Sequence, residues 1–173
     1  MNIGALRLEN PLLLAPLAGV TNLPFRLVAR EAGCAMVFTE MVSAEGLARR
    51  CAHTLPYLRS LPAERPLSVQ LFGAEPAAMA EAAAIVQDAG ADAVDINFGC
   101  AVRKVTRTGS GVALMRTPER AEAVIAAVRN AVRLPLTVKL RSGWDHSGRQ
   151  ALEIGTMAEA CGADAVILHP RTA

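Results

Sequence analysis

Three stretches of this chain repeat one pattern, and that repeat restricts the fold more than any other feature of the sequence. Residues 31–40 (Glu-Ala-Gly-Cys-Ala-Met-Val-Phe-Thr-Glu), 88–97 (Asp-Ala-Gly-Ala-Asp-Ala-Val-Asp-Ile-Asn) and 160–169 (Ala-Cys-Gly-Ala-Asp-Ala-Val-Ile-Leu-His) each read as a helix end, a capping glycine, a tight turn, an apolar strand and a terminal polar residue. Each copy therefore delivers one polar side chain, Glu40, Asn97 or His169, to an equivalent strand end. Simple strand counting places Gln70 and Lys139 at equivalent ends too.

The rest of the chain fills in the same alternation. Apolar runs predict strands over 12–15, 36–39, 67–71, 93–97, 136–139 and the last copy of the repeat. Helices are expected from Asn22, a cap followed by Pro24 in the first turn, to Gly33, then over 44–50, 76–89, 118–132 with Thr117 as cap, and 149–160. Six strands alternating with helices argue for an α/β fold with a parallel sheet and right-handed crossovers. Polar residues recurring at strand ends favour a TIM-type (β/α)8 barrel. A complete barrel has eight strands and typically ~250 residues, so the 173 residues are expected to form one partial barrel domain, truncated after about six strands.

The totals exclude several classes. No apolar run approaches the roughly 18 residues that span a bilayer, because Pro11, Pro16 and Pro24 interrupt the N-terminal apolar segment. Arg7 and Glu9 ahead of that segment make a poor signal peptide, so a cytoplasmic protein with no membrane partner is expected. Cys34, Cys51, Cys100 and Cys161 have no paired short spacing of the zinc type; neither a metal site nor disulfides are expected. A net charge of +2 is too small to mark a nucleic-acid binder by itself.

Chemistry concentrates at the end of the fourth strand, where residues 95–105 read Asp-Ile-Asn-Phe-Gly-Cys-Ala-Val-Arg-Lys-Val. Asn97 marks the strand's carboxyl end, Gly99 is read as a turn that other residues would resist, and Cys100 lies just beyond, where parallel sheets carry their ligands. Ahead of these, residues 16–21 form a loop of small residues that lets a flat ligand approach the backbone.

The 97–105 stretch resembles the Asn-x-Gly-Cys-Pro-x-x-Lys-Val signature of the tRNA-dihydrouridine synthases, with Ala101 in place of the proline. Losing that proline frees one φ and loosens the loop, but leaves the thiol in place. The resemblance extends in family order to 15–21, 38–41, 69–73, 138–144 and 169–172, and so covers essentially the whole chain. It implies FMN as cofactor, NADPH or NADH as reductant, and tRNA as the partner whose uridine is reduced. It implies Cys100 as proton donor, and an ordinary thiol, mostly protonated near neutrality, suits that role. Pro16, Leu17, Ala18, Gln70, Lys139 and His169 become flavin contacts, Lys139 by stabilising negative charge on the reduced ring. Asn97, with a donor and an acceptor, is expected to read a uracil edge. Arg141 is expected to hold uracil or flavin, and Arg103, Lys104 and Arg107 to touch RNA phosphates. The family's last third, with the phosphate-gripping strand ends and a C-terminal helical tRNA-binding domain, has no counterpart in these residues.

Two other readings stand beside this one. A flavin barrel of the dihydroorotate dehydrogenase type would act on a small molecule and need no tRNA. A catalytically inactive fragment, or a half-barrel subunit, would leave the first and sixth strands with unpaired edges.

Overall fold

The computed structural model describes residues 1–173. In all three repeats the glycine adopts a left-handed conformation that ends the preceding helix, with φ of 96° at Gly33, 83° at Gly90 and 85° at Gly162. The chain then turns directly into a parallel strand.

In order, the elements are β1 (Asn2–Ile3), β2 (Leu6–Arg7), α1 (Leu23–Glu31), β3 (Val37–Phe38), β4 (Val42–Ser43), α2 (Ala44–Ala48), β5 (Leu67–Phe72), α3 (Pro76–Asp88), β6 (Ala93–Phe98), α4 (Arg103–Thr106), α5 (Pro118–Ala131), β7 (Leu136–Gly143), α6 (Arg149–Ala160) and β8 (Ala165–Thr172). The main sheet is parallel and ordered β3-β5-β6-β7-β8, with β4 continuing beside β5. The sheet curls into a half-barrel, as the strand alternation predicts. The antiparallel β1–β2 hairpin has no apolar period long enough to read from sequence.

A carboxylate in the repeat fixes where strands begin. The backbone N–H of Leu67 donates to Asp92 Oδ2 (2.8 Å) while Asp92 N–H donates back to the Leu67 carbonyl (2.9 Å). Leu136 and Asp164 make the same reciprocal pair, at 2.8 and 2.7 Å. Arg65 and Arg129 complete the two sites with ion pairs to Asp92 and Asp164. The first copy of the repeat has Ala35 at this position. There the expected strand over 12–15 is reduced to one parallel bridge, Leu13 to Met36, and Leu12 N–H turns to Asn10 Oδ1 instead.

Helices α3 and α5 bury Met79, Ala82, Ala83 and Val86, and Ala121, Val124, Ile125 and Val128, the i, i+3, i+4, i+7 spacing of one helix face. They pack on the outward residues of the sheet, among them Val69, Leu71, Val94, Ile96, Phe98, Val138 and Leu140. A second, smaller cluster of Ile3, Leu8, Ala35, Met36, Phe38 and Ala93 packs with Leu13, Ala165 and Ile167. Asn22 caps α1 through Phe25 N–H as expected, but Thr117 makes no side-chain cap to α5, because its hydroxyl turns back to the Leu114 carbonyl. No helix is long and apolar enough to cross a membrane.

Candidate active site

Strand alternation sorts the side chains of β5 to β8 into two sets. Large apolar residues face the helices. The alternate positions carry Ser68 and Gln70, Asp95 and Asn97, Thr137, Lys139 and Arg141, and His169. Parallel register sets Gln70 and Thr137 on either side of Asp95, Lys139 beside Asn97, and His169 beside Arg141.

Above these residues lies a cavity of about 490 Å³, lined by Ala15, Pro16, Leu17 and Ala18 on one side, by Gln70, Asn97, Gly99, Cys100, Lys139, Arg141 and His169, and by the apolar Met41, Val102, Ile167 and Leu168. Nine of the residues singled out from sequence thus surround one space. Arg103 and Lys104 do not: α4 carries them, exposed, outside the cavity, and Arg107 is exposed beyond that helix. Glu40 also lies apart. Its Oε1 accepts from Gly19 N–H at 2.5 Å, and it borders a separate, polar cleft with Arg26, Tyr57 and Arg59.

The Cys100 loop is held from both ends. Asn97 Oδ1 accepts from the backbone N–H groups of Gly99 (3.1 Å) and Cys100 (2.9 Å), and the Cys100 carbonyl accepts from Val112 N–H at 3.0 Å. Arg141 Nε donates to the Gly99 carbonyl and its Nη1 to the Thr172 carbonyl, each at 2.6 Å, tying the loop to β8. Two expectations change with this geometry. The acceptor of Asn97 is spent on the loop, so a uracil edge can meet only its remaining amide hydrogen. Gly99 does not need to be glycine for its conformation, since it lacks a positive φ and an added Cβ would meet nothing closer than 3.7 Å. The glycine this loop requires is Gly111, with φ of 64° and a Cβ that would collide with the Cys100 carbonyl oxygen at 2.5 Å.

Beneath the cavity floor a polar network runs along the sheet. Asn97 Nδ2 donates to Gln70 Oε1 (2.8 Å), and Gln70 Nε2 donates to Asp95 Oδ2 (2.6 Å). Thr137 Oγ1 donates to the other Asp95 oxygen. Asp95 is fully buried, and burial raises its pKa to about 7 against the opposing hydrogen bonds of Thr137 and Gln70 and the charge of Lys139. Sequence reading passed over Asp95. Its one signal is an acid in the middle of an otherwise apolar run.

Burial also lowers the Lys139 pKa below the ordinary lysine range, with Asp95 opposing and Arg141 reinforcing the shift. Lys139 takes part in none of the molecule's ion pairs, so a partly buried ammonium faces the cavity with Asp95 acting on it only from beyond ion-pair distance. Burial, then Lys139, Arg141 and Arg171, lower the His169 pKa, which leaves a neutral imidazole near neutrality. No group of three or more His, Cys, Asp or Glu side chains is placed to hold a metal ion.

Comparison with known proteins bears on the fold and the family of the chain. The carboxyl transferase domain of Rhizobium etli pyruvate carboxylase is similar in structure, with a TM-score of 0.51 at 17% identity over 90% of this chain and 26% of that one, a likeness of fold alone. In sequence, the chain is 47% identical to a probable tRNA-dihydrouridine synthase of Rhodobacter capsulatus, over 99% of this chain and 53% of the relative. It is 45% identical to probable tRNA-dihydrouridine synthase 1 of Synechocystis, over 99% and 48%, and 40% identical to tRNA-dihydrouridine synthase B of Vibrio cholerae, over 99% and 53%. The chain spans about half the length of these curated relatives. The family model for dihydrouridine synthase matches residues 13–173, and with that match the chain belongs to the dihydrouridine synthase family.

Proposed function

We propose that the cavity at the strand ends is the flavin and uracil site of an FMN-dependent tRNA-dihydrouridine synthase, with Cys100 as proton donor. The observation that carries this reading is the meeting, around one cavity, of a loop-held cysteine, a wall of small residues and an ammonium that forms no ion pair. The residues fit the ring end of FMN. Pro16, Leu17 and Ala18 offer a flat backbone wall, Gln70 and His169 are uncharged polar contacts, and Lys139 matches the electron-rich edge of a reduced ring. When bound, FMN supplies a hydride, drawn from NADPH or NADH, for C6 of the uracil.

The chain's own part is positional and acid–base. Asn97 holds the backbone of residues 99–100 so that Cys100 lines the cavity, where its thiol proton would pass to C5 of the uracil. Arg141 keeps the loop against β8 and has Nη2 left for the base. A base inside a stacked RNA loop cannot reach a barrel mouth, so the uridine must be flipped out. Arg103, Lys104 and Arg107, exposed beside the loop, would meet the flanking phosphates. The relatives, named as tRNA-dihydrouridine synthases, support tRNA over a free pyrimidine as substrate.

The test is dihydrouridine formation in unmodified tRNA, supplied with FMN and NADPH. Cys100→Ala should lower turnover by about 10²–10⁴-fold while leaving flavin binding intact. Turnover at the parental rate would remove Cys100 from the role of acid. Free uridine reduced as fast as tRNA would favour a small-molecule oxidoreductase.

A further inference from the structure

The network under the cavity has a direction that nothing in the proposed reaction uses. A carboxylate only accepts hydrogen bonds, and a backbone N–H only donates them, whereas a side-chain amide has one end of each kind. Asp95 draws the Nε2 end of Gln70 toward itself, which turns Oε1 of Gln70 toward Asn97. Asn97 must then offer its Nδ2 end to Gln70, and its oxygen is left to receive Gly99 and Cys100 N–H. Every donor in the series points toward Asp95. No amide can flip without breaking a bond on each side of it.

We propose that Asp95 is a positioning residue for Cys100, acting as the terminal acceptor of a directional relay through Gln70 and Asn97 that fixes the loop bearing the thiol. A second observation supports it. Counting from the shared glycine of the repeat, Ile167 on β8 is the counterpart of Asp95, so an apolar side chain is accommodated at this position of the repeat. Burying a carboxylate here is costly, and its strongly raised pKa reports that cost. Asp95 keeps its place because of what it orients. The purpose of the relay rests on the role proposed above for Cys100, but its existence is tested without turnover.

The experiment is site-resolved backbone amide exchange in the whole 173-residue chain, read at Gly99 and Cys100 and normalised to amides of α3. Asp95→Ala should speed exchange at both loop amides by about tenfold, and Asp95→Asn, which keeps an acceptor facing Gln70, should return them to within about threefold of the parent. Thr137→Val removes the other hydrogen bond to the same carboxylate and should move the loop less than about twofold, while Gln70→Leu should match Asp95→Ala. Loss of rescue by Asp95→Asn would overturn the relay, as would equal loosening by Thr137→Val and Gln70→Leu. If Asp95→Ala does not fold, the Thr137→Val and Gln70→Leu pair decides the matter.

Discussion

Strands β6 and β8 are entered through the same five residues, Gly-Ala-Asp-Ala-Val, at 90–94 and 162–166. Their local structure is the same. Both glycines are left-handed, and both aspartates hold the first N–H of the neighbouring strand. Their surroundings differ. All of β6 is buried between β5 and β7 and under α3 and α5, whereas β8 lies at the sheet edge with Val166 41% and Leu168 52% exposed. The pentapeptide thus encodes a turn, a staple and a strand direction, while burial is decided by what the sheet places next to it.

The largest test of this contrast is a pair of equivalent truncations. Ile96→Ala in β6 should cost about 3 kcal/mol, and Leu168→Ala, at the same position of the repeat in β8, below about 0.5 kcal/mol, by urea unfolding. Equal costs would mean that β8 is covered in solution.

The next test uses the interior position at which one strand carries an acid and the other an apolar side chain, Asp95 against Ile167. Burial raises Asp95 to about 7, above the ~3.9 of an exposed aspartate, so the folded chain binds its proton more tightly than the unfolded chain does. The parent should therefore lose stability relative to Asp95→Asn as pH rises from about 4 to about 7, with little further change above. Urea midpoints measured at both ends of that window would check the sign. A parent that gains on Asp95→Asn over the same window would contradict the buried placement.

Smaller effects test the shared half of the comparison. Asp92→Ala and Asp164→Ala each remove one staple and one partly exposed ion pair, and each should cost about 1–2 kcal/mol, with the two values alike to within about 0.5 kcal/mol. A clear inequality would show that the edge strand is not anchored by the same device.

The legible part of the molecule follows from this division. Gly90, Gly162 and the apolar runs after them are local signals, and they give the strands, the parallel order and the strand-end positions of Gln70, Asn97, Lys139 and His169 around one cavity. The illegible part depends on partners distant in sequence. Gly111 lies under the Cys100 carbonyl after an intervening helix, and Arg141 spends two donors on the carbonyls of residues 99 and 172. Asn97 looks free for a base edge until the loop N–H groups close on it. Asp95 becomes conspicuous only when Gln70 and Thr137 are seen on either side.

The most direct measurement of the central claim is a titration of the 173-residue chain with FMN, followed in the visible bands of the flavin and repeated with Lys139→Ala. The account predicts a saturable shift of those bands, with an affinity that falls roughly tenfold when the Lys139 ammonium is removed. Bands that stay unchanged under excess FMN, or that shift as readily with Lys139→Ala, would contradict the assignment of this cavity to the flavin ring.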